Sequence, residues 1–103
     1  MSNEVYQFDW DAAKAATNEQ QHEISFELAM TVFRDRLALT VFDEEHSDEE
    51  ERWVSIGVAE NGMTLVVIHT FTPTTPGSAL IRIISARRAK PRERSFPVGA
   101  RHW

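Results

Sequence analysis

The alternation of apolar and polar residues divides the chain into a helical N-terminal third and a strand-rich remainder. Val5–Phe8 has the composition of a short strand, and Asp9 or Asp11 can cap an alanine-rich helix over residues 11–21. A second helix is predicted to begin at Ser25, because apolar residues recur after it with helical spacing. The residues of that apolar stripe are Phe26, Ala29, Met30 and Phe33.

Strand patterns dominate the rest of the chain, where β-branched and aromatic residues are frequent. Asn61-Gly62 is the strongest hairpin signal and joins two of the predicted strands. Thr72–Ser78 has two prolines, one glycine and no charge, and is predicted to be an exposed loop. Pro91 suits the first turn of a short C-terminal helix, which Pro97 and Gly99 should end. The four strands are predicted over Leu37–Phe42, Arg52–Ala59, Met63–Phe71 and Leu80–Ala86.

This order of elements predicts one α+β domain over residues 1–103, with two N-terminal helices packed on an antiparallel meander and a short C-terminal helix. Leu65–Ile68 and Leu80–Ile84 are apolar on both faces of their strands, apart from Arg82. One face can pack on the helices, and the C-terminal segment, a second subunit or a partner protein must cover the other. We therefore predict at least one substantial protein interface.

Composition narrows the class of protein. Apolar residues make up 42% of the chain, cysteine is absent, and the longest unbroken apolar run is Leu65–Ile68. A globular protein of the reducing cytosol is expected, without disulfides, a signal peptide or a membrane span. The four histidines show no spacing typical of metal ligands, so we expect neither a metal site nor a cofactor.

The charge distribution indicates a polyanionic partner despite the net charge of −5. Asp43–Glu51 holds seven of the sixteen acidic residues, whereas residues 82–101 contain seven bases and one acid. A basic C-terminal end on an acidic protein is a feature of nucleic-acid binders, although solvated arginines at a helix end are also common.

These residue types permit chemistry that needs only general acids, bases and charge stabilisation, and metal-free RNA cleavage is one such reaction. A base removes the proton of the ribose 2′-OH, the oxygen attacks phosphorus, cations stabilise the added charge, and an acid protonates the leaving oxygen. The catalytic candidates are Arg82, Arg87, Arg88, Arg52, Glu51, His69 and Glu93.

Each candidate also has a structural interpretation. Arg82 interrupts an apolar strand, so it is either a site residue or half of a salt bridge. Arg87 and Arg88 follow the end of the predicted strand, and they are either site residues or part of a solvent-exposed turn. Arg52 is expected to pair with Glu51 or with another neighbouring carboxylate.

The remaining two candidates, His69 and Glu93, also have structural interpretations. His69 shares a strand face with Leu65 and Val67, which favours a core histidine with a satisfied hydrogen bond. Glu93 is either a general base or the solvent-exposed partner of a neighbouring arginine, Arg92 or Arg94.

The residues also match a known family. The stretches FDWDAAKA at Phe8–Ala15, SFELA at Ser25–Ala29 and RIISARRA at Arg82–Ala89 occur in one register with His22 and Glu93-Arg94. In this order they resemble the BrnT toxin family. The resemblance implies a RelE-like fold and an RNA-cleaving toxin of a type II toxin–antitoxin pair. It also implies a BrnA-like ribbon-helix-helix antitoxin and a toxin homodimer within a heterotetramer.

The resemblance also suggests roles for individual residues. Arg82 and either Arg87 or Arg88 would stabilise the transition state, with Glu51, Arg52 and Glu93 in acid–base or orienting roles. His69 is placed where a proton donor would fit. Substrate binding would fall to five further residues, Lys14, His22, Lys90, Arg92 and Arg94.

Two departures from the family pattern support an alternative function. Gln21-His22-Glu23 replaces a lysine-histidine-glycine sequence, and Phe96-Pro97 stands where a tyrosine-bearing helix is expected. A catalytically degenerate module that only holds a DNA-binding antitoxin is therefore the second hypothesis. A structural protein with a solvated arginine tail is the third.

Overall fold

The computed structural model describes residues 5–47 and 50–94, which form a six-stranded sheet and three α-helices. The predicted end of the C-terminal helix at Pro97 and Gly99 lies outside the described residues. The strands are β1 (Val5–Asp9), β2 (Leu39–Asp43), β3 (Arg52–Val58), β4 (Thr64–His69), β5 (Thr72–Pro73) and β6 (Ser78–Arg88). The helices are α1 (Ala12–His22), α2 (Phe26–Met30) and α3 (Pro91–Arg94), with 3₁₀ turns over Thr31–Arg34 and Glu44–His46.

Side-chain caps set the starts of both N-terminal helices, as predicted. The Asp11 carboxylate accepts a hydrogen bond from the Lys14 amide at 3.3 Å, and the Ser25 hydroxyl accepts one from the Leu28 amide at 3.0 Å. Glu23 ends α1 in the left-handed conformation, at φ 58°. α2 is shorter than the apolar stripe predicts, because a 3₁₀ turn continues it from Thr31.

The sheet is mixed, and this corrects the prediction of an antiparallel meander. The strand order is β1-β6-β4-β3-β2, in which β2, β3, β4 and β6 pair antiparallel. β1 instead runs parallel to the first half of β6, and the predicted loop Thr72–Ser78 begins with β5, which pairs with β6. An alternating pattern identifies a strand, but it does not specify the neighbour or the direction of pairing.

The main core lies between the N-terminal helices and one face of the sheet, here called the helix face. Phe26, Ala29 and Val32 are buried against Leu65 and Ile81. Met30 and Phe33 of the predicted stripe are only partly buried, since the 3₁₀ turn rotates Val32 into the core. The helix-face residues of the sheet in this core are Leu65, Val67, Ile81, Ile83 and Ala86.

A smaller apolar cluster lies on the opposite face of the sheet, here called the second face. Ile56 and Val66 are buried there with Ala89, which follows β6. Part of the C-terminal segment therefore covers this face, one of the three possibilities that the sequence left open. Within the described ranges, no helix is long and apolar enough to cross a membrane.

Candidate functional site

A β-bulge in β6 brings two of the predicted site arginines to the same face. His69 pairs with Ile83 but Ile68 pairs with Ser85, so that Ile84 is an extra residue in β6. Side chains five positions apart normally point to opposite faces of a strand. The extra residue reverses this rule, and Arg82 and Arg87 both lie on the second face, about 15 Å apart along the strand.

Arg87 is fixed by Glu93 of α3. Its Nη1 donates to Glu93 Oε1 at 2.7 Å and its Nη2 donates to Oε2 at 2.8 Å. The backbone amide of Lys90 donates to the same Oε1 at 2.8 Å. The sequence suggested Arg92 or Arg94 as the partner of Glu93, and the bidentate pair with Arg87 corrects this.

The pair changes the chemistry of both groups. Hydrogen bonds from Arg87, and then from the Lys90 amide, lower the pKa of Glu93 to about 2. The hydrogen bond to Glu93 raises the pKa of Arg87 above its ordinary value. A carboxylate this acidic is a weak general base at neutral pH. Glu93 therefore orients Arg87, which keeps a permanent positive charge on the second face.

Arg82 lies in a different environment. Its backbone is anchored to Thr70, whose amide donates to the Arg82 carbonyl at 2.9 Å and whose hydroxyl accepts from the Arg82 amide at 3.3 Å. The side chain is exposed and lines a cavity of about 300 Å³. Among residues 5–47 and 50–94, no carboxylate forms an ion pair with it, so the salt-bridge interpretation of Arg82 is not supported. The other residues that line this cavity are Asp9, Glu50, Glu51, Thr70, Phe71, Thr72 and Leu80.

Glu51 and Arg52, adjacent in sequence, are not partners. Glu51 lines the Arg82 cavity, whereas Arg52 begins β3 opposite Asp43 and shares the second face with Ile56. The buried Arg52 Nε has no hydrogen-bond partner in the part of the chain that the structure describes. The predicted pair with Glu51 is wrong, and no other carboxylate among residues 5–47 and 50–94 forms an ion pair with Arg52.

His69 is a buried core residue on the helix face. Its Nδ1 donates to the Thr70 carbonyl at 2.8 Å, and its Nε2 lies 2.8 Å from the Ser55 hydroxyl. Since a carbonyl only accepts, the neutral ring carries its proton on Nδ1 and Ser55 donates to Nε2. Because the Ser55 hydroxyl donates to His69, it accepts a hydrogen bond from the Thr40 hydroxyl, 2.7 Å away. Burial lowers the pKa of His69, and the hydrogen bond to Thr70 offsets part of this shift. No substrate atom can reach the ring without opening the core.

The two candidates of α1 lie at the edge of β6. Lys14 and His22 line a groove of about 280 Å³ together with Ile84 and Ser85, next to the bulge. β1 ends opposite Arg82, so α1 follows the edge of β6 from there onward. This groove provides one cation and several hydroxyl and amide groups beside the strand that holds Arg82 and Arg87.

The remaining cations are exposed and more widely spread. Arg88 pairs with Leu65 across the sheet, and it therefore lies on the helix face, opposite to Arg87. Lys90 precedes α3, which contains Arg92 and Arg94, and all three are exposed. The structure thus brings together Arg82, Glu51, Arg87 and Glu93 along the second face, and it separates Arg88 and His69 from them.

Sequence reasoning missed several residues that shape this face. Asp9, Thr70 and Phe71 line the Arg82 cavity, but they stand at strand ends where a pattern gives no reason to select them. Asn18 is buried in α1, where its amide pairs with both backbone groups of Ala86. α1 is largely polar and exposed, so its sequence pattern gives no reason to single out Asn18.

Comparisons with known proteins agree with this architecture. A family model described as "Ribonuclease toxin, BrnT, of type II toxin-antitoxin system" matches residues 10–93. The fold is similar to the crystal structure of the Brucella abortus ribonuclease toxin BrnT, with a TM-score of 0.51 and 22% sequence identity. That similarity covers 84% of this chain and 99% of the other. No curated protein matches the sequence.

Proposed function

The chain belongs to the BrnT family of ribonuclease toxins from type II toxin–antitoxin systems, and from that premise we propose that it is a metal-free endoribonuclease that arrests translation in the cytoplasm. The toxin is a single domain over residues 1–103 with a RelE-like arrangement, in which helices cover one sheet face and RNA approaches the other. The observation behind this proposal is the alignment of Arg82 and Arg87 on the second face by the β6 bulge.

Arg87 is the cation that stabilises the transition state. Glu93 holds its guanidinium through two parallel hydrogen bonds, and the outer N–H groups can meet phosphate oxygens. A preorganised cation of this kind loses little reorganisation energy as negative charge develops on phosphorus. Glu93 acts as a positioning residue and the ring of His69 is enclosed in the core, so neither is the general acid or base.

Other cations bind RNA around this centre. Arg82 contacts RNA beside Glu51, and Lys14 and His22 bind it in the groove at the edge of β6. Arg52 contributes positive charge to the same face. Arg88, Lys90, Arg92 and Arg94 add to the attraction of the phosphate backbone from the C-terminal end.

The experiment that tests the activity compares Arg87→Ala with the parent protein. A cell-free preparation is incubated with defined RNA in the presence of EDTA, and cleavage is followed by gel. We expect a loss of about a hundredfold or more in rate, the usual cost of removing one preorganised donor to a transition-state oxygen. Glu93→Gln should cost less, because it leaves the cation but loosens its orientation.

Arg36→Ala is the matched control, since Arg36 is an exposed arginine outside the second face. Circular dichroism and thermal unfolding verify that each variant is folded. Equal rates for folded Arg87→Ala and Arg36→Ala would contradict the assignment of the site. Complete loss of cleavage in EDTA with recovery on adding Mg²⁺ would contradict the metal-free mechanism.

The partner in this proposal is a BrnA-like ribbon-helix-helix antitoxin, which holds two copies of the toxin in a heterotetramer. Family membership supports an antitoxin partner. Co-expression with the product of the adjacent open reading frame, followed by size-exclusion chromatography with light scattering, measures the stoichiometry. Recovery of a monomeric toxin with no associated chain would contradict it.

The second candidate function is a degenerate toxin that binds an antitoxin without cleaving RNA. The ion pair of Arg87 with Glu93 favours this second function, because part of the guanidinium already donates to the Glu93 carboxylate and is not available to RNA. A parent protein that binds the antitoxin but leaves RNA intact at micromolar concentration would establish this alternative over the enzyme.

A further inference from the structure

The outer edge of β2 has no strand beside it among residues 5–47 and 50–94. β2 stands at one end of the strand order and pairs with β3 alone in that part of the chain. A free edge is a template for another strand, and soluble proteins commonly protect such an edge with lysine, proline or a bulge. Leu39–Asp43 has none of these three features. The edge is therefore able to pair with a further strand.

Two hydrogen bonds show in which direction the backbone of β3 points. The Arg52 amide donates to Ser47 Oγ at 3.0 Å, and the Val58 amide donates to Asp35 Oδ2 at 2.8 Å. Ser47 follows β2 and Asp35 precedes it, so both acceptors lie on the β2 side of β3. Because backbone groups alternate in direction along a strand, the even-numbered residues of β3 all direct their N–H and C=O groups toward β2.

The outward-facing backbone groups of β2 consequently belong to Thr40 and Phe42. The even-numbered residues of β3 are opposite the odd-numbered residues of β2, and these pairs exchange the hydrogen bonds of the ladder. Thr40 belongs to the other class of pair, in which side chains come closer, and its hydroxyl lies 2.7 Å from that of Ser55. The N–H and C=O groups of Thr40 and Phe42 thus point away from β3, toward the open edge.

The residues on either side of β2 carry opposite charges. Arg36 stands four positions before Thr40 and Glu44 four positions after it, and both are exposed. Neither forms an ion pair within the described ranges. When two copies of β2 pair antiparallel about a two-fold axis at Thr40, Arg36 of each copy lies opposite Glu44 of the other. An axis at Val41 would place Arg36 opposite His46 and lose both of these attractive pairs.

The same axis matches side chains on both faces of the sheet. Since residues alternate between faces, a two-fold axis normal to the sheet joins the helix faces of the two copies. Leu39 then lies opposite Val41 of the other copy on the second face. Phe42, which is 39% exposed, lies opposite Ala38 on the helix face, and the small alanine side chain leaves room for the ring.

β1, the outer strand on the other side of the sheet, lacks this complementarity. Its central residue is Gln7. An antiparallel pairing of two copies about Gln7 would set Val5 opposite Asp9 and bring no basic residue to that carboxylate. Charge therefore distinguishes β2 from β1 as an edge for a second copy of the chain.

We infer that β2 is the interface of a homodimer, in which two copies of the chain pair antiparallel about Thr40 and form one continuous sheet. The inference deepens the proposed function, in which two copies of the toxin share one assembly. It does not depend on RNA cleavage, because β2 lies three strands from β6 and its arginines. Cleavage rates should accordingly be equal in monomer and dimer, and Arg36→Ala remains a valid control there.

The first test is the oligomeric state of the full chain without RNA. Two five-residue strands form a small interface, so sedimentation velocity should show a monomer–dimer equilibrium with a Kd of about 1–100 µM. The dimer should weaken near 1 M salt, since its two charge pairs are exposed and screened. A chain that stays monomeric up to roughly 500 µM would overturn the inference.

Complementary charge reversals test the two-fold arrangement. Arg36→Glu and Glu44→Arg each replace two attractive pairs by two repulsive ones, and each variant alone should dimerise about tenfold or more weakly than the parent. An equimolar mixture should recover the dimer, because the mixed pair contains two attractive contacts again. Glu19→Arg, at an exposed position of α1, is the matched control and should dimerise like the parent. A mixture no stronger than its components would overturn the pairing about Thr40.

A backbone variant tests the hydrogen bonds at the axis. Thr40→Pro removes the outward N–H, a change that an edge strand tolerates, and it should weaken the dimer about tenfold or more. Thr40→Val loses the same hydroxyl but keeps the N–H, so it should dimerise like the parent. Circular dichroism verifies folding, and the charge reversals decide alone if Thr40→Pro does not fold. Equal dimerisation of folded Thr40→Pro and Thr40→Val would contradict the inference.

The outcomes remain separable from those of the proposed function. A monomeric free toxin overturns pairing through β2 even if co-expression yields a heterotetramer, which the antitoxin would then hold together alone. Dimerisation that follows the charge reversals supports the inference even if the protein cleaves no RNA. A monomeric parent whose antitoxin binding is lost in Thr40→Pro would assign the edge to the antitoxin, and would overturn the homodimer.

Discussion

Glu93 and His69 are two titratable side chains whose chemistry is decided by their immediate neighbours. Two guanidinium hydrogen bonds and one backbone amide make Glu93 a permanent anion, suited to orienting Arg87 and poorly suited to accepting a proton. Burial has the opposite effect on charge at His69, where it favours the neutral ring between Ser55 and Thr70. Phe33 packs edge-on against that ring, 4.9 Å between centroids.

The lowered pKa of His69 makes stability dependent on pH in the mildly acidic range. Its folded-state pKa lies below the ordinary value of 6.5 that applies to the unfolded chain. Between these values the unfolded chain binds more protons, so the free energy of unfolding falls as pH decreases from about 6.5. Urea denaturation at pH 7.5 and pH 5.5 should show this loss. A His69→Gln variant should be less stable at pH 7.5 and show a weaker pH dependence, and an unchanged slope would contradict the assignment.

At the scale of elements, α1 takes over the role of a strand at the edge of β6. β1 pairs with β6 only as far as Arg82, after which the chain turns into α1. The Asn18 side chain then bonds the backbone of Ala86 from both sides, as a neighbouring strand would: Nδ2 donates to its carbonyl at 2.8 Å and Oδ1 accepts from its amide at 3.0 Å. A further bond to the Ile24 carbonyl at 3.0 Å ties the start of α2 to the same point.

Replacement of Asn18 should therefore destabilise the whole domain. Asn18→Ala leaves the Ala86 amide and two carbonyls without partners in a buried place, and we expect a loss of about 2–4 kcal/mol in the free energy of unfolding. Urea denaturation measures this loss. Gln21→Ala, at an exposed position of the same helix, is the control and should change stability by less than about 0.5 kcal/mol. Similar effects of the two substitutions would refute the edge-pairing role.

At the scale of the molecule, part of the acidic charge is separated from the basic residues by several strands. Glu44 and Glu45 lie in the 3₁₀ turn after β2, at one side of the strand order, whereas the basic residues from Arg82 to Arg94 belong to β6 and α3. β2 and β6 are three strands apart, about 14 Å in the plane of the sheet. At physiological salt this exceeds the Debye length of about 8 Å, so the charges of Glu44 and Glu45 weaken RNA binding at β6 only moderately, unlike those of Glu50 and Glu51, which line the Arg82 cavity.

Neutralising part of the acidic segment should raise RNA affinity in a salt-dependent manner. Glu44 and Glu45 are exposed in the 3₁₀ turn after β2 and lie outside the cavity of Arg82. The double variant Glu44→Gln/Glu45→Gln should bind a single-stranded RNA about two- to threefold more tightly near 0.01 M salt, where the Debye length is about 30 Å. The gain should vanish near 1 M salt. An advantage that persists there would exclude long-range repulsion as its cause.

Much of the fold follows from local sequence signals. The caps Asp11 and Ser25, the turn at Asn61-Gly62, the alternation in β3 and the apolar runs in β4 and β6 depend on residues that are close along the chain. Gly62 adopts φ +88°, the conformation that such a turn requires. These signals predicted the helix starts and four strands, with boundaries that shift by at most two residues in the structure.

The candidate site was only partly predictable, because chemistry depends on neighbours that are distant in sequence. The basic residues of RIISARRA were visible as a group, but the pairing of Glu93 with Arg87, and not with Arg92 or Arg94, depends on how α3 returns to β6. His69 was a candidate by residue type, and only its burial with Ser55 shows that it belongs to the core.

The sequence alone determined the N-terminal helices, the four predicted strands, the charge asymmetry and the family, since all of these are properties of consecutive or motif-spaced residues. Tertiary structure decided the parallel pairing of β1, the role of Asn18 and the face on which each arginine lies. The physical reason is strand register. One additional residue at Ile84 moves Arg87 to the same face as Arg82 and Arg88 to the opposite face, and that residue is defined only by the pairing of β6 with β4.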